Sequence, residues 1–285
     1  MAAAGAGLTS VVLCPVVSRN RSSRIFSITA EVAGLRRLFV NVFFVGPPGG
    51  PWVLIDAGTP GSAAAIQRAA QERFGNAAPE AILLTHGHFD HAGSVRELAA
   101  YWGAPVYAHR AEFPFLTGCE KYPWPDAASG GGWMALLSPL FPRAPFDLRG
   151  HLQPLPATNI VPILQGWRWI HTPGHTPGHV AFFRDEDRVL IAGDAISLTK
   201  AESAEAVITQ RVELHGPPAY FTPDWDAARD SVMRLFELRP AVIAAGHGLP
   251  VAGDSATEEL AELALRFDEL ARPHRGRTVR PAVSH

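Results

Sequence analysis

Residues 85–91 read Thr-His-Gly-His-Phe-Asp-His, so three imidazoles and one carboxylate fall within a single short segment. This segment directly follows the apolar run 81–84, which has the composition of a buried strand. Neutral imidazole and carboxylate are ligands for zinc, and also for iron or manganese. A histidine-rich surface turn is the alternative, but it leaves the other histidine turns of the chain unexplained. The segment therefore predicts a metal site at the end of a strand.

Other residues of ligand type recur along the chain in the same setting. Each follows a short apolar run and lies in a turn that contains glycine, which is how a rigid scaffold presents a site on loops. These residues are His175 and His179 after 167–170, Asp194 after 189–192, and His247 after 241–245. The repeated setting indicates that several strand ends converge on one site.

Strands and helices must position these loops. They can be predicted because apolar, β-branched runs alternate with segments of helical periodicity. The predicted strands are 38–45, 52–56, 81–85, 105–108, 167–171, 180–184, 189–192 and 241–245. The predicted helices are 62–74, 92–102, 225–237 and 256–271. Strands in both halves with helices between them predict α/β layers.

With this set of residues, the chain resembles the metallo-β-lactamase superfamily. The matching residues are His86-x-His88-x-Asp90-His91, followed by His175, Asp194 and His247, and Leu54-Ile55-Asp56-Ala57-Gly58 is similar to the family's early Asp-x-Gly turn. The resemblance extends over residues 25–271. It implies an α/β fold, a four-layer αβ/βα sandwich with the site at one edge.

The resemblance also implies the roles of the ligands. One metal ion is expected to bind His86, His88 and His175, the second to bind Asp90, His91 and His247, and Asp194 to bridge them. The expected cofactors are therefore two divalent metal ions, zinc in the first place, with manganese and iron as alternatives. Two ions roughly 3.5–4 Å apart share a hydroxide that attacks a carbonyl or phosphorus centre.

Residues near the ligands have two interpretations each. His179 is expected to support the site, His171 to end a strand, and Asp56 either to orient a ligand histidine or to cap a turn. Tyr220 either polarises a substrate carbonyl or packs ahead of a helix. We predict Asp90, Asp194 and Tyr220 as the residues that take part in the reaction.

The predicted reaction is hydrolysis of an ester, a lactone or a thioester through the metal-bridging hydroxide. An iron-dependent oxidoreductase similar to persulfide dioxygenases is the alternative, and a metal-binding member without activity is a third. True metallo-β-lactamases lack an equivalent of Asp194, which argues against antibiotic hydrolysis as the main activity.

The segment 112–165, rich in proline, glycine and aromatic residues, is interpreted as a lid or substrate wall for an apolar acyl or aromatic group. A packed surface excursion or an interface in a homodimer is its alternative.

The composition excludes several other classes. The chain has 285 residues, 47% of them hydrophobic, and a net charge of -2, so neither a nucleic-acid surface nor a membrane partner is expected. Its two cysteines, Cys14 and Cys119, are too few for a disulfide framework, and a cytoplasmic location is the default.

We predict a flexible tail at 1–24, one domain at 25–271 and a C-terminal tail at 272–285. A weak export signal at the N-terminus is the alternative, although its arginines follow the apolar stretch instead of preceding it.

Overall fold

Two β-sheets pack face to face between layers of helices in the computed structural model, which describes residues 25–143, 147–161, 163–200 and 213–276. The predicted tail 1–24 with Cys14, Phe146 of the aromatic segment, and residues 277–285 lie outside the described residues. No helix among the described residues is long and apolar enough to cross a membrane.

The first sheet has seven strands in the order β1-β2-β3-β4-β5-β6-β7. Strands β1 to β4 pair antiparallel, and β4 to β7 pair parallel. Parallel pairing places the carboxyl ends of β4 and β5 at one edge, where their loops can meet. The strands are β1 Ile25–Ser27, β2 Val32–Arg37, β3 Val40–Val45, β4 Val53–Ile55, β5 Ala81–Leu83, β6 Val106–Ala108 and β7 Leu152–Pro154.

The second sheet has five strands in the order β12-β11-β10-β9-β8. Only β10 and β11 are parallel neighbours in this sheet, and the other pairs are antiparallel. The strands are β8 Trp167–His171, β9 Val180–Arg184, β10 Val189–Ile191, β11 Val242–Ala244 and β12 Val251–Ala252.

Eight α-helices lie among the described residues, and all except α5 contribute side chains to the cores on the outer faces of the sheets. They are α1 Ala63–Phe74, α2 Phe89–Ala92, α3 Val95–Trp102, α4 Phe113–Leu116, α5 Gly132–Leu137, α6 Trp225–Glu237, α7 Asp254–Leu265 and α8 Phe267–Leu270. Side chains alternate across each strand, so one face of the first sheet packs against α1 and α3 while the other meets the second sheet. In β3, for example, Val42 and Phe44 belong to the outer core, whereas Phe43 and Val45 belong to the core between the sheets. The predicted four-layer α/β sandwich is confirmed.

Several predicted elements differ from the structure by one or two residues at their ends, and two predicted helices are interrupted. The strand predicted from residue 38 begins at Val40, because Leu38 has φ 58° and forms a turn. The helix predicted at 92–102 is divided into α2 and α3, and the one predicted at 256–271 is interrupted at Arg266, where φ is -119°. Strands β1, β2, β7 and β12 were not predicted.

Candidate metal centre

The predicted metal ligands all lie on loops that meet at one edge of the two sheets. The first sheet contributes the loop after β5, which contains α2, and the second sheet contributes three separate loops. His86, His88, Asp90 and His91 follow β5, His175 lies between β8 and β9, Asp194 follows β10, and His247 follows β11. Neither sheet could form the site alone.

The first group consists of three imidazoles. His88 Nδ1 lies 3.1 Å from His86 Nε2 and 2.9 Å from His175 Nε2. All three side chains are buried. Three nitrogens this close together have the composition of a zinc site with three protein ligands and an open position.

The second group consists of Asp90, His91 and His247, whose ligand atoms lie within 4.8 Å of one another. His247 Nε2 is 3.6 Å from Asp90 Oδ2. Asp194 lies between the two groups: its carboxylate oxygens are 3.3 Å from His91 Nε2, 3.2 Å from His247 Nε2 and 3.5 Å from His175 Nε2. The structure thus brings together all seven residues predicted as ligands, while their binding of metal stays a prediction.

On the first sheet, a chain of hydrogen bonds sets which nitrogen of His86 faces the centre. The hydroxyl of Thr85 donates to Asp56 Oδ2 at 2.8 Å, so its oxygen accepts from His86 Nδ1 at 3.0 Å. Asp56 Oδ2 also accepts from His91 Nδ1 at 2.8 Å. Both histidines therefore use Nδ1 for these contacts and turn Nε2 toward the centre, which is the orientation that a metal ligand needs.

On the second sheet, His175 and His247 are oriented in the same way. The hydroxyl of Thr222 donates to the carbonyl of Pro218 at 2.8 Å and accepts from His175 Nδ1 at 3.2 Å. His247 Nδ1 donates to the carbonyl of Phe39 at 2.9 Å, and that carbonyl belongs to the turn before β3 of the first sheet. Each Nε2 is left to face the centre.

Burial and charge act differently on the two groups. Burial lowers the pKa of His86 and His175 well below the ordinary value and that of His88 to about 3, so these imidazoles are neutral. Burial would also lower the pKa of His91, but the carboxylates around it, Asp194 first among them, raise it well above the ordinary value. A cation at the second group must therefore displace a proton from this imidazole.

Two buried atoms support the presence of a cation. His91 Nε2 and Asp194 Oδ1 lie 3.3 Å apart, yet neither has a hydrogen-bond partner among the described residues. Buried polar atoms without a partner are uncommon and costly. A divalent ion bound between the carboxylate and the imidazole would satisfy both, so the residues present fit a metal.

The turn that carries Asp194 is fixed by His179. The backbone N–H of Asp194 donates to His179 Nε2 at 2.9 Å, and His179 Nδ1 donates to the hydroxyl of Thr172 at 2.8 Å. A Cβ at Gly246 would lie 2.1 Å from Asp194 Oδ1, so only glycine fits beside this carboxylate. His179 accordingly lies where sequence reasoning expected a supporting residue, and His171 is the last residue of β8.

An apolar cavity of about 120 Å³ opens beside the first group, with His88 and His175 among its lining residues. Phe115 and Trp124 line it from the segment 112–165, and Phe221 lines it from the segment before α6. The ring of Phe221 lies 4.8 Å from that of His88. Residues of the segment 112–165 thus line the cavity, whereas Trp133 of the same segment is 69% exposed, and the predicted lid or wall function of 112–165 stays a prediction.

Tyr220 also lines this cavity and is buried. Its ring packs against Phe221 at 4.8 Å, and its backbone carbonyl accepts from the N–H of Asp126. These contacts are compatible with both interpretations of Tyr220, so its part in a reaction stays a prediction.

Sequence reasoning missed several residues of the site. Thr85 and Thr222 orient ligand histidines, and Asn41 donates from its side chain to the carbonyls of Ala245 and Gly248 on either side of His247. Glu112 and Tyr122 contact the loop after β5, and Glu112 also contacts the loop between β8 and β9. The position of Thr85 directly before His86 was a usable signal, whereas the others are separated from the ligands in sequence.

Comparison with known proteins gives a consistent result. The sequence profile described as the metallo-beta-lactamase superfamily matches residues 35–247. The probable metallo-hydrolase YflN of Bacillus subtilis is 47% identical over 253 residues, which are 88% of this chain and 96% of that protein.

Two solved structures are similar in fold. A beta-lactamase domain protein from Burkholderia ambifaria gives a TM-score of 0.60 at 20% identity, covering 86% of this chain and 76% of that one. The protein TTHA1623, solved in a di-iron-bound form, gives a TM-score of 0.50 at 27% identity, covering 81% and 95% of the two chains.

Proposed function

This chain belongs to the metallo-beta-lactamase superfamily, and on that premise we propose that it is a dinuclear metal-dependent hydrolase that cleaves an ester, a lactone or a thioester. As a metallo-hydrolase of this superfamily it has clusters of histidine and aspartate suited to divalent metals. The observation that carries the proposal is the contact of Asp194 with both histidine groups, beside a cavity that reaches His88 and His175.

The proposed chemistry needs two cations, with zinc as the expected ion. When bound, they supply Lewis acidity toward a carbonyl oxygen and a nucleophile from water near neutral pH. His86, His88 and His175 would hold one ion, Asp90, His91 and His247 the other, and Asp194 both. Because the first three ligands are neutral, only the shared carboxylate of Asp194 would offset the charge of the ion they hold. The carboxylates of Asp90 and Asp194 would offset the charge of the second.

The cavity supports a small, uncharged acyl or aryl group in the substrate. An apolar cavity of about 150 Å³ holds a benzene ring, so the volume beside His88 suits a group of comparable size. No lysine or arginine occurs among the described residues that line it. Phe115, Trp124 and Phe221 provide aromatic surface on which such a group can pack. Tyr220 would be close enough to the same group to contact a carbonyl, which is the role proposed for it.

The test is a substrate series on metal-free protein and on protein loaded with zinc. Short-chain and aryl esters, lactones and thioesters are compared, and metal content is measured per chain. We expect two zinc ions per chain and metal-dependent hydrolysis that falls with acyl length. The repeated His-Thr-Pro-Gly sequence offers a matched pair of variants. His175→Ala should abolish activity, whereas His171→Ala, at the partly exposed end of β8, should retain it. Zinc-loaded protein that hydrolyses no member of the series would overturn the proposal.

Iron-dependent oxygen chemistry is the second candidate. It is favoured by the di-iron-bound form of the similar protein TTHA1623 and by the group His86, His91 and Asp194, since two histidines and one carboxylate bind iron in non-haem oxygenases. Metal analysis of protein purified without added metal separates the candidates. One iron per chain with oxygen uptake on a persulfide would replace hydrolysis as the assigned reaction.

A further inference from the structure

Glu112 is a fully buried carboxylate that belongs to neither histidine group. It ends a 3-10 turn, Arg110–Glu112, just after β6, and its side chain reaches the gap between two ligand loops. Its Oε2 accepts from the backbone N–H of Gly87 at 2.9 Å, and its Oε1 accepts from that of Gly178 at 2.7 Å. Gly87 separates His86 from His88 on the first sheet's loop, and Gly178 precedes His179 on the second sheet's loop.

Tyr122 completes this arrangement. Its hydroxyl donates to Glu112 Oε2, and its ring packs edge-on against the imidazole of His88, with 4.4 Å between ring centroids. The ring of Tyr122 is also stacked on that of Phe115, with 4.0 Å between centroids. Glu112 therefore receives donors from both loops and from a residue that contacts a ligand imidazole.

The two glycines are required by the closeness of this contact. A Cβ at Gly87 would lie 2.6 Å from the hydroxyl oxygen of Tyr122, and a Cβ at Gly178 would lie 2.8 Å from Glu112. Both loops thus approach the Glu112–Tyr122 pair more closely than any other residue type allows. This steric observation is independent of the hydrogen bonds and points to the same junction.

We propose that Glu112 is a positioning residue that holds the His86–His88 loop and the His175–His179 loop in register, so that the first histidine group is formed before metal binds. The two loops come from different sheets and meet where His88 Nδ1 faces His175 Nε2 at 2.9 Å. Without a cation, the contact between these two nitrogens joins the loops at one point, and Glu112 adds an acceptor outside the histidine group that binds a backbone N–H of each loop. This inference rests on the proposed metal site, and it assigns to Glu112 the pre-organisation of that site.

Glu112→Gln is the informative substitution, because it preserves shape and removes one acceptor. In the wild-type protein each carboxylate oxygen of Glu112 accepts a backbone N–H. In the variant the amide NH₂ of glutamine would face one of these donors. One loop must therefore lose its contact, whichever way the amide is turned. Metal-free protein is titrated with Co²⁺ against a chelator, and both the affinity and the visible absorption of bound Co²⁺ are recorded. We expect Glu112→Gln to weaken the site of His86, His88 and His175 about 10-fold or more and to change the absorption spectrum of the Co²⁺ bound there.

Three control variants separate positioning from general stability. Glu120→Gln removes an exposed carboxylate of the same segment and should leave affinity and spectrum unchanged. Ile66→Ala truncates the core under α1, so it should lower the melting temperature without weakening Co²⁺ binding. Tyr122→Phe keeps both loop contacts of Glu112 and should weaken binding less than Glu112→Gln.

Glu112→Gln protein that binds Co²⁺ with wild-type affinity and spectrum would overturn the inference, and so would a larger loss in Tyr122→Phe. If Glu112→Gln does not fold, hydrogen exchange of the wild-type amides decides. The Gly87 and Gly178 N–H groups should both be protected in metal-free protein, and rapid exchange of either one refutes the role. Wild-type protein that binds no Co²⁺ refutes the proposed metal site itself, so the two failures are distinguishable.

Discussion

Replacing Asp56 by asparagine tests whether a hydrogen bond outside the ligand set controls the second metal position. Asp56 has φ 62°, a conformation that asparagine adopts more readily than most residues, so the backbone should be preserved. The wild-type carboxylate accepts from the N–H of Thr85 through Oδ1 at 2.8 Å and from His91 Nδ1 through Oδ2 at 2.8 Å. A backbone N–H can only donate, so the single oxygen of the asparagine amide must stay opposite Thr85.

The amide NH₂ then takes the place of Oδ2 and donates to His91 Nδ1. Neutral His91 then carries its proton on Nε2, the atom that faces Asp194. The wild-type imidazole can lose its Nε2 proton to a cation and keep Nδ1–H bonded to Asp56, whereas in the variant Nδ1–H would face the amide NH₂. A cation can bind Nε2 of the variant only after its proton is lost, so affinity at the group of Asp90, His91 and His247 should fall. Changes in the hydrogen-bonded support of a ligand cost about 10-fold to 100-fold in metal affinity, or about 1.4–2.8 kcal/mol. The group of His86, His88 and His175 should retain most of its affinity, because the Thr85 hydroxyl can donate to the retained oxygen, which corresponds to Oδ1 at 3.1 Å, and still accept from His86 Nδ1.

Calorimetric titration with Zn²⁺ against a competing chelator measures both steps separately. Asp56→Asn should show one site near the wild-type affinity and one weakened site. Asp185→Asn removes a surface carboxylate paired with Arg168 and serves as the charge-matched control. Two unchanged sites in Asp56→Asn would refute the tautomer argument, and equal weakening of both sites would show that Asp56 acts on the whole loop instead of on His91.

Three further predictions concern the bridge, the cavity and pH. Asp194→Asn should reduce hydrolysis about 100-fold and leave one metal site, because its carboxylate contacts a histidine of each group; a rate equal to wild type contradicts bridging. Phe221→Ala should lower kcat/KM for the shortest acyl substrate about 10-fold and lower kcat/KM less for longer substrates, so that the preference for the shortest substrate decreases. Trp133→Ala changes a surface residue and should leave this preference unchanged. Burial lowers the pKa of both His88 and His179 to about 3. Both are therefore neutral when folded and take up protons on unfolding below their unfolded pKa of about 6.5. Metal-free protein should lose stability as the pH falls from about 6.5 towards 3, and a urea midpoint equal at about pH 7 and about pH 5 would contradict this.

The central strands could be predicted from the sequence because they are buried on both faces. Residues 53–55 and 81–83 are continuous apolar runs, as expected for parallel strands covered on both sides. The strands that were missed lie towards the margins of the sheets or are interrupted. β2 contains Gly34, where a Cβ would lie 2.2 Å from the ring of Phe26, so this glycine is explained only by its partner strand. β7 ends in Pro154, which an edge strand tolerates but a sequence pattern does not reveal.

The ligand groups could be anticipated from the motif and its family resemblance, whereas their supports could not. Histidine, aspartate and glycine at strand ends form a recognisable pattern. The contacts that orient them come from residue types that occur throughout any chain. Thr222 and the carbonyl of Phe39 orient His175 and His247, but nothing in the sequence near either one marks it as a support. Glu112 escaped notice for the same reason, since a single glutamate in an aromatic segment carries no spacing signal.

Loops of both sheets form the metal site. The relative position of the sheets therefore determines which distant substitutions should change metal affinity. Asn41 of β3 donates its N–H to the carbonyl of Gly246 at 2.8 Å, so the His247 turn of the second sheet is attached to the first. On the opposite side, Glu112 attaches the His175 loop to the loop after β5. The core between these attachments includes Phe43 and Phe182, one from each sheet. Because interiors are close-packed, we expect a larger side chain at either ring to alter the spacing of the sheets and hence the distance between the histidines that each contributes. A comparable change in the cores beneath the outer helices leaves that spacing intact, so loss of stability and loss of metal affinity should separate according to which core is altered.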